Sequence, residues 1–107
     1  MKPNPLILQH AQDDLDEIVV FIAQRSKSAA HNMRGLIISK IKELLLFPRR
    51  GRPIPDDRLK RLGFRMLFVK PYVVFYRVLG SQILVYRVVH GASDYPMLYD
   101  RLDSSHT

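Results

Sequence analysis

The chain has 107 residues, 47% of them hydrophobic, with 17 lysines and arginines against 10 aspartates and glutamates, a net charge of +7. That apolar fraction argues against disorder throughout, and the absence of cysteine excludes disulfide staples, thiolate metal sites and cysteine nucleophiles. No apolar run approaches the roughly 20 residues of a membrane span and Met1-Lys2-Pro3-Asn4-Pro5 leads into no signal-peptide segment, so a cytoplasmic protein with one domain over 1–107 is expected.

Leu6-Ile7-Leu8 is too short for a helix and reads as a buried strand. Ala11, Leu15, Ile18, Val19, Ile22 and Ala23 recur at helical spacing. His10 precedes them and is expected to cap that helix. Asp13, Asp14, Asp16 and Glu17 crowd its first two turns, where the helix dipole favours anions; they are read as helix stabilisation and given no catalytic role. Arg25 and Lys27 are placed at its far end. Ser28 is the expected N-cap of a second helix, with Ala30, Met33, Ile37, Ile41, Leu44 and Leu45 on its apolar stripe, running to Phe47 and stopped by Pro48. Two such helices with a short polar break form an antiparallel hairpin.

Gly51, Pro53 and Pro55 mark Arg49 to Arg61 as a loop. The period then changes. Phe64 to Val69, Tyr72 to Leu79 and Ile83 to Val89 are rich in β-branched and aromatic residues and read as three antiparallel strands. Lys70-Pro71 makes one reversal. Gly80-Ser81 suits a two-residue type II′ turn, whose first central position needs positive φ. Gly91 to Thr107 holds at most one helical turn, around Met97 to Leu102, then a flexible tail from about 103 that includes His106. The order β-α-α-β-β-β predicts an α+β fold with the helical hairpin packed on one face of a small, mainly antiparallel sheet.

The charge is concentrated. From Arg49 to His90 there are ten basic and two acidic residues, a balance of +8, so this segment attracts an anionic counterpart, either nucleic acid or an acidic protein segment. Arg65, Arg77 and Arg87 alternate with apolar residues. On one sheet face, interleaved with Tyr72, Tyr76 and Tyr86, they would make a platform for single-stranded RNA; the alternative is a wetted sheet face. Nucleotide-binding and serine-hydrolase motifs are absent, and the histidines show no metal-ligand spacing. His31 falls on a polar helix face. His90 ends the last strand before a glycine, where an imidazole can serve as general base or pack at the sheet edge.

Several stretches together resemble the ParE branch of the RelE/ParE toxin superfamily of bacterial toxin–antitoxin systems. They are Ala11-x-x-Asp14-Leu15-x-x-Ile18, Leu44-Leu45-x-Phe47-Pro48, Gly51-Arg52, Lys70-Pro71-Tyr72-Val73-Val74-Phe75-Tyr76-Arg77-Val78 and Ile83 through Asp94. The resemblance implies a helical hairpin on an antiparallel sheet, and a toxin that poisons DNA gyrase and blocks replication, with no catalytic residues, cofactor or metal. Its implied partners are gyrase and a ParD-like antitoxin whose acidic C-terminal segment neutralises the basic surface in a hetero-oligomer; direct nucleic-acid contact is secondary. Residues expected at the target or partner surface are Arg49, Arg50, Arg52, Arg58, Arg61, Arg65, Arg77, Arg87, His90, Ser93, Asp94 and Tyr95. RelE-like relatives instead cleave mRNA on the ribosome. In that alternative His90, Tyr99, Arg65 and Arg87 would be catalytic, although Val73 and Ser93 stand where that group has arginines. Many ParE-like toxins also carry arginine at Ser93, so a degenerate toxin that only binds antitoxin is a third reading.

Overall fold

The computed structural model describes residues 4–103. Strand β1 (Leu6–Ile7) leads into helix α1 (Gln9–Ala23), which turns back into α2 (Lys27–Glu43). Then come β2 (Arg52–Pro53), the short helix α3 (Asp57–Arg61), and the long strands β3 (Phe64–Val69), β4 (Tyr72–Leu79) and β5 (Gln82–His90). A 3₁₀ turn (Tyr95–Leu98) and the single-turn helix α4 (Tyr99–Leu102) follow. The five strands are ordered β1-β5-β4-β3-β2, all neighbours antiparallel except β1, which lies parallel to β5. The expected α+β class and helix-on-sheet layering hold.

Alternation along the long strands feeds two apolar clusters. Leu67, Val69, Val74, Tyr76, Ile83, Val85 and Val88 meet Ala11 and Leu15 of α1 and Ile37 and Ile41 of α2. On the opposite face Met66, Val73, Phe75, Leu84 and Tyr86 meet Ile54, Leu59 and Leu102 from the segments flanking the strands. Each fully buried aliphatic side chain contributes about 1.5–3 kcal/mol, so the second face is a core and not a wetted surface. Gly80 takes φ +62°, and among the described residues none but glycine has positive φ, which fits the type II′ turn between Leu79 and its partner Gln82.

A β-bulge interrupts the alternation along β5. The β4–β5 register shifts between Phe75, which faces Arg87, and Tyr76, which faces Val85. Val85 and Val88, three residues apart, therefore both join the helix-side cluster. Strict alternation would have sent Val88 to the other face; the extra residue re-aims the strand and brings Val88 inward, while Arg87, opposite Phe75, reaches Asp14 of α1.

Several local expectations are corrected. Helix α1 starts at Gln9, so His10 lies inside it and is exposed, and no side chain caps it. Its first turn carries no acidic residue, so the acidic cluster sits too far along for the dipole reading. It ends at Ala23, before Arg25, and Lys27 opens α2. The α2 cap is Ser26, whose Oγ accepts from the Ala29 amide at 3.1 Å; Ser28 lies within the first turn. The regular helix stops at Glu43, and tighter turns carry the chain to Phe47. The stretch from Arg49 to Arg61 is not one loop. Arg52 and Pro53 pair with Met66 and Arg65, and Asp56 caps α3 by accepting from the Leu59 amide at 3.0 Å. The C-terminal segment makes two short turns, and Leu102 is buried. The proposed tail beyond 103, with His106, lies outside the described residues.

Candidate functional site

The three strand arginines do not share a face, and each is engaged. Arg65 is paired across the strands with Tyr76 on the helix side. Its Nε donates to the Gly51 carbonyl at 2.8 Å and Nη2 to the Arg49 carbonyl at 3.4 Å. Arg77 faces Phe64 on the second side; its guanidinium lies over that ring and Nε donates to the Leu62 carbonyl at 2.6 Å. Arg87 reaches α1. The tyrosines are equally committed: Tyr72, Tyr76 and Tyr86 are all buried. The stacking platform for RNA therefore does not form, because alternation and the bulge send these side chains to different places and a second core occupies the sheet face.

Most of the remaining site residues gather in two places. The first is a groove of about 480 Å³ between α1 and the C-terminal 3₁₀ turn, floored by the end of β5. Arg87, His90, Ser93, Asp94 and Tyr95 all line it, beside Asp14, Glu17, Ile18, Phe21, Tyr72 and Leu98. At its base Arg87 makes a bidentate pair with Asp14, Nε to Oδ2 at 2.7 Å and Nη2 to Oδ1 at 3.0 Å. Oδ2 also accepts the Val88 amide at 2.8 Å. Asp14 is the one buried charged side chain among the described residues. The hydrogen bond that Arg87 donates to Asp14, aided by the charges of Asp14 and Glu17, raises the Arg87 pKa above its ordinary value against the opposing effect of burial. The pair ties α1 to the bulged strand and gives the groove a fixed floor. Sequence reasoning missed Asp14 by grouping it with Asp13, Asp16 and Glu17. The available signal was its phase: it falls three residues after Ala11 and four before Ile18, on the apolar stripe where an unpaired carboxylate is not tolerated.

His90 is exposed at the groove's rim, with its ring edge-to-face against Tyr72 at 5.5 Å. Its Nδ1 accepts the Ala92 amide at 3.0 Å, and its carbonyl accepts from the amide and Oγ of Ser93. With Nδ1 used as an acceptor, the neutral ring carries its proton on Nε2 and presents a donor outward, the wrong tautomer for a general base there. Tyr99 stands edge-on to Phe75 at 6.3 Å, and burial raises its pKa above the ordinary phenol value. Val73, where RelE-like members have a sheet arginine, is completely buried.

The second place is a basic corner where α2 gives way to β2. Arg49, Arg50 and Arg52 are exposed. Arg50 pairs with Glu43 at 2.7 Å and lies over the half-exposed Phe47 ring; Arg52 lies over Phe68. Gly51 fixes this corner. Its amide donates to the Tyr76 hydroxyl at 3.0 Å, which donates in turn to the Pro48 carbonyl at 2.7 Å. A Cβ on Gly51 would come within 2.6 Å of the Met66 carbonyl oxygen, so no other residue fits without backbone movement. Arg58 and Arg61 lie apart on α3, where Arg58 is held by Asp103 and donates to the Tyr99 carbonyl at 3.3 Å. The hydrogen bond that Arg58 donates to Asp103 raises the Arg58 pKa. Among the described residues no three His, Cys, Asp or Glu side chains are placed to hold a metal ion.

A sequence profile of the ParE toxins of type II toxin–antitoxin systems matches residues 6–95, from β1 to the end of the groove. The chain belongs to this toxin family. It is 31% identical over 87 residues to Toxin RelE1 of Caulobacter vibrioides, covering 80% of this chain and 90% of that protein. Its fold resembles that of a solved structure described as the chromosomal ParDE toxin–antitoxin system of P. aeruginosa, with a TM-score of 0.67 at 22% identity over 83% of this chain and 96% of that one. Among the described residues no helix is long and apolar enough to cross a membrane.

Proposed function

We propose that this toxin acts by docking, as a poison of DNA gyrase that blocks replication, and not as a ribonuclease. One observation carries the reading: the groups available for phosphate chemistry are already committed. Arg87 is tied to Asp14, Arg65 to backbone carbonyls and His90 Nδ1 to a backbone amide. Val73 and Ser93 supply no guanidinium to neutralise charge developing on a phosphorane. What the toxin does offer is surface, an apolar groove and a basic corner. The experiment is induction of the chain alone while DNA, RNA and protein synthesis are followed separately. DNA synthesis is expected to stop first, with stabilised gyrase–DNA cleavage complexes. Rapid transcript cleavage with gyrase activity intact would overturn the proposal.

Cleavage of mRNA is the competing reading, motivated by the exposed His90 imidazole at the groove rim. Under it, His90→Ala or Tyr99→Phe abolishes transcript cleavage on ribosomes; under docking, neither variant alters transcript integrity.

The partner in this proposal is an antitoxin with an acidic segment, received at the basic corner, where electrostatic steering speeds encounter. Arg49→Glu with Arg52→Glu is expected to weaken that complex at least tenfold and slow association, measured by surface plasmon resonance. Ser93→Arg, restoring a guanidinium at the groove rim, tests whether the native chain is attenuated: stronger growth arrest means that Ser93 tempers toxicity.

A further inference from the structure

The groove and the basic corner differ in sign. Three carboxylates line the groove, Asp14, Glu17 and Asp94, against a single guanidinium, Arg87. That guanidinium is consumed by Asp14 in a bidentate pair. Asp16 borders the same helix face, lining a shallower depression with Glu17, Val20 and Phe21. On a chain of net charge +7 this is a local acidic rim. The interior is apolar, and its mouth carries the ring of Phe21, 70% exposed, next to Val20, 62% exposed. Exposure of that much apolar side chain on a helix whose other face is packed marks a contact surface.

An acidic segment of the kind proposed for the basic corner is repelled here. We infer that the groove is a separate docking site for a cationic protein segment, one that inserts an aromatic or branched aliphatic side chain beside Phe21 while flanking lysines or arginines meet Glu17 and Asp94. The volume of about 480 Å³ accommodates one such anchor with its neighbours, the usual form of a contact in which a few buried side chains carry most of the affinity. The floor is rigid because Asp14 fixes Arg87 and the Val88 amide, so little ordering accompanies insertion. The toxin then has two faces of opposite charge for two different partners, and occupancy of the basic corner leaves the groove open. This goes beyond the gyrase reading, since it holds whichever protein supplies the segment.

The test uses the isotope-labelled full chain and two synthetic peptides of equal length, each with two phenylalanines, one set among lysines and the other among glutamates. The lysine peptide is expected to shift amide signals of Glu17, Phe21, Val89 and Ser93, with at least tenfold higher affinity than the glutamate peptide and a preference that shrinks as salt is added. Glu17→Lys, at an exposed position, is expected to reduce lysine-peptide affinity several-fold while the spectrum stays dispersed; Phe21→Ser is expected to weaken the aromatic contact. Equal binding of both peptides, preference for glutamate, or shifts confined to Arg49–Arg52 would overturn the inference. Concentration-dependent shifts of the same groove signals in the chain alone, with no response to peptide, would assign the groove to a second copy and overturn it as well.

Discussion

The two faces of the sheet are covered by different kinds of structure. One face is roofed by helices of 15 and 17 residues whose apolar stripes run their whole length. The other is roofed by fragments: Ile54 beside a two-residue strand, Leu59 in a five-residue helix and Leu102 in a four-residue one. Yet Ile37 and Leu102 are buried to the same degree, 0% and 1% exposed. Periodicity therefore reports how a covering element is built, while the depth of burial depends on what it covers.

That equivalence can be broken. Ile37→Ala and Leu102→Ala are each expected to lose about 3 to 4 kcal/mol, read as paired shifts in urea midpoint at constant slope. A loss below about 1 kcal/mol for Leu102→Ala would mean that the C-terminal segment is a loose flap and that the second face is not a core. Next in size is Asp14→Ala, which strands Arg87 and the Val88 amide. Arg87 keeps some access to water, so the cost is about 2 to 3 kcal/mol, below that of a fully buried pair. Thermal unfolding checks it, at about 4–8 °C per kcal/mol for a domain of this size. Asp13→Ala, one residue away on the exposed side, should move the transition by less than about 0.5 kcal/mol; equal effects would return the acidic cluster to a helix-dipole role.

Tyr76→Phe removes the hydroxyl that joins the Gly51 amide to the Pro48 carbonyl and should cost about 1 to 2 kcal/mol. It should also loosen the basic corner without disturbing the groove, which amide exchange at Gly51 against Val88 would show. The smallest effect is at alkaline pH. Burial raises the Tyr72, Tyr76 and Tyr99 pKa values above 10, with hydrogen bonds and Arg65 partly opposing this at Tyr76. Above pH 10 the unfolded chain releases these protons first while the folded chain retains them. Stability present below pH 10 is thus lost as pH rises further. A pH series of urea midpoints should fall above pH 10, and less steeply in Tyr76→Phe.

Most of the helix-side architecture was legible in the chain, because fifteen-residue stripes and aromatic, β-branched runs carry a strong periodic signal. The candidate site was legible as a set of residue types but not as a grouping. His90 was found because it ends the last strand, and Ser93, Asp94 and Tyr95 through the family resemblance. Asp14, Glu17 and Phe21, from the other end of the chain, could not be joined to them without the fold. Arg65 and Arg77 misled because Arg65 pairs with Tyr76, the neighbour of Arg77, which puts the two on opposite faces, and the bulge beside Arg87 shifts the phase of the third strand. The loop reading of Arg49 to Arg61 failed because β2 and α3 are too short to show a period; Asp56 as a cap and the burial of Ile54 and Leu59 hold them in place.

By its sequence alone this protein determined its class, its helical hairpin, its strand meander and the +8 balance of one segment, since these are properties of local pattern and composition. The tertiary structure decided where the charge acts. It consumed Arg65, Arg77 and Arg87 in internal bonds, left Arg49 and Arg52 exposed at one corner, and brought Glu17 and Asp94 to the rim of a groove on an otherwise basic molecule. The reason is physical: a buried guanidinium or carboxylate must find a partner, and which partner lies in reach depends on contacts between residues as far apart as Asp14 and Arg87.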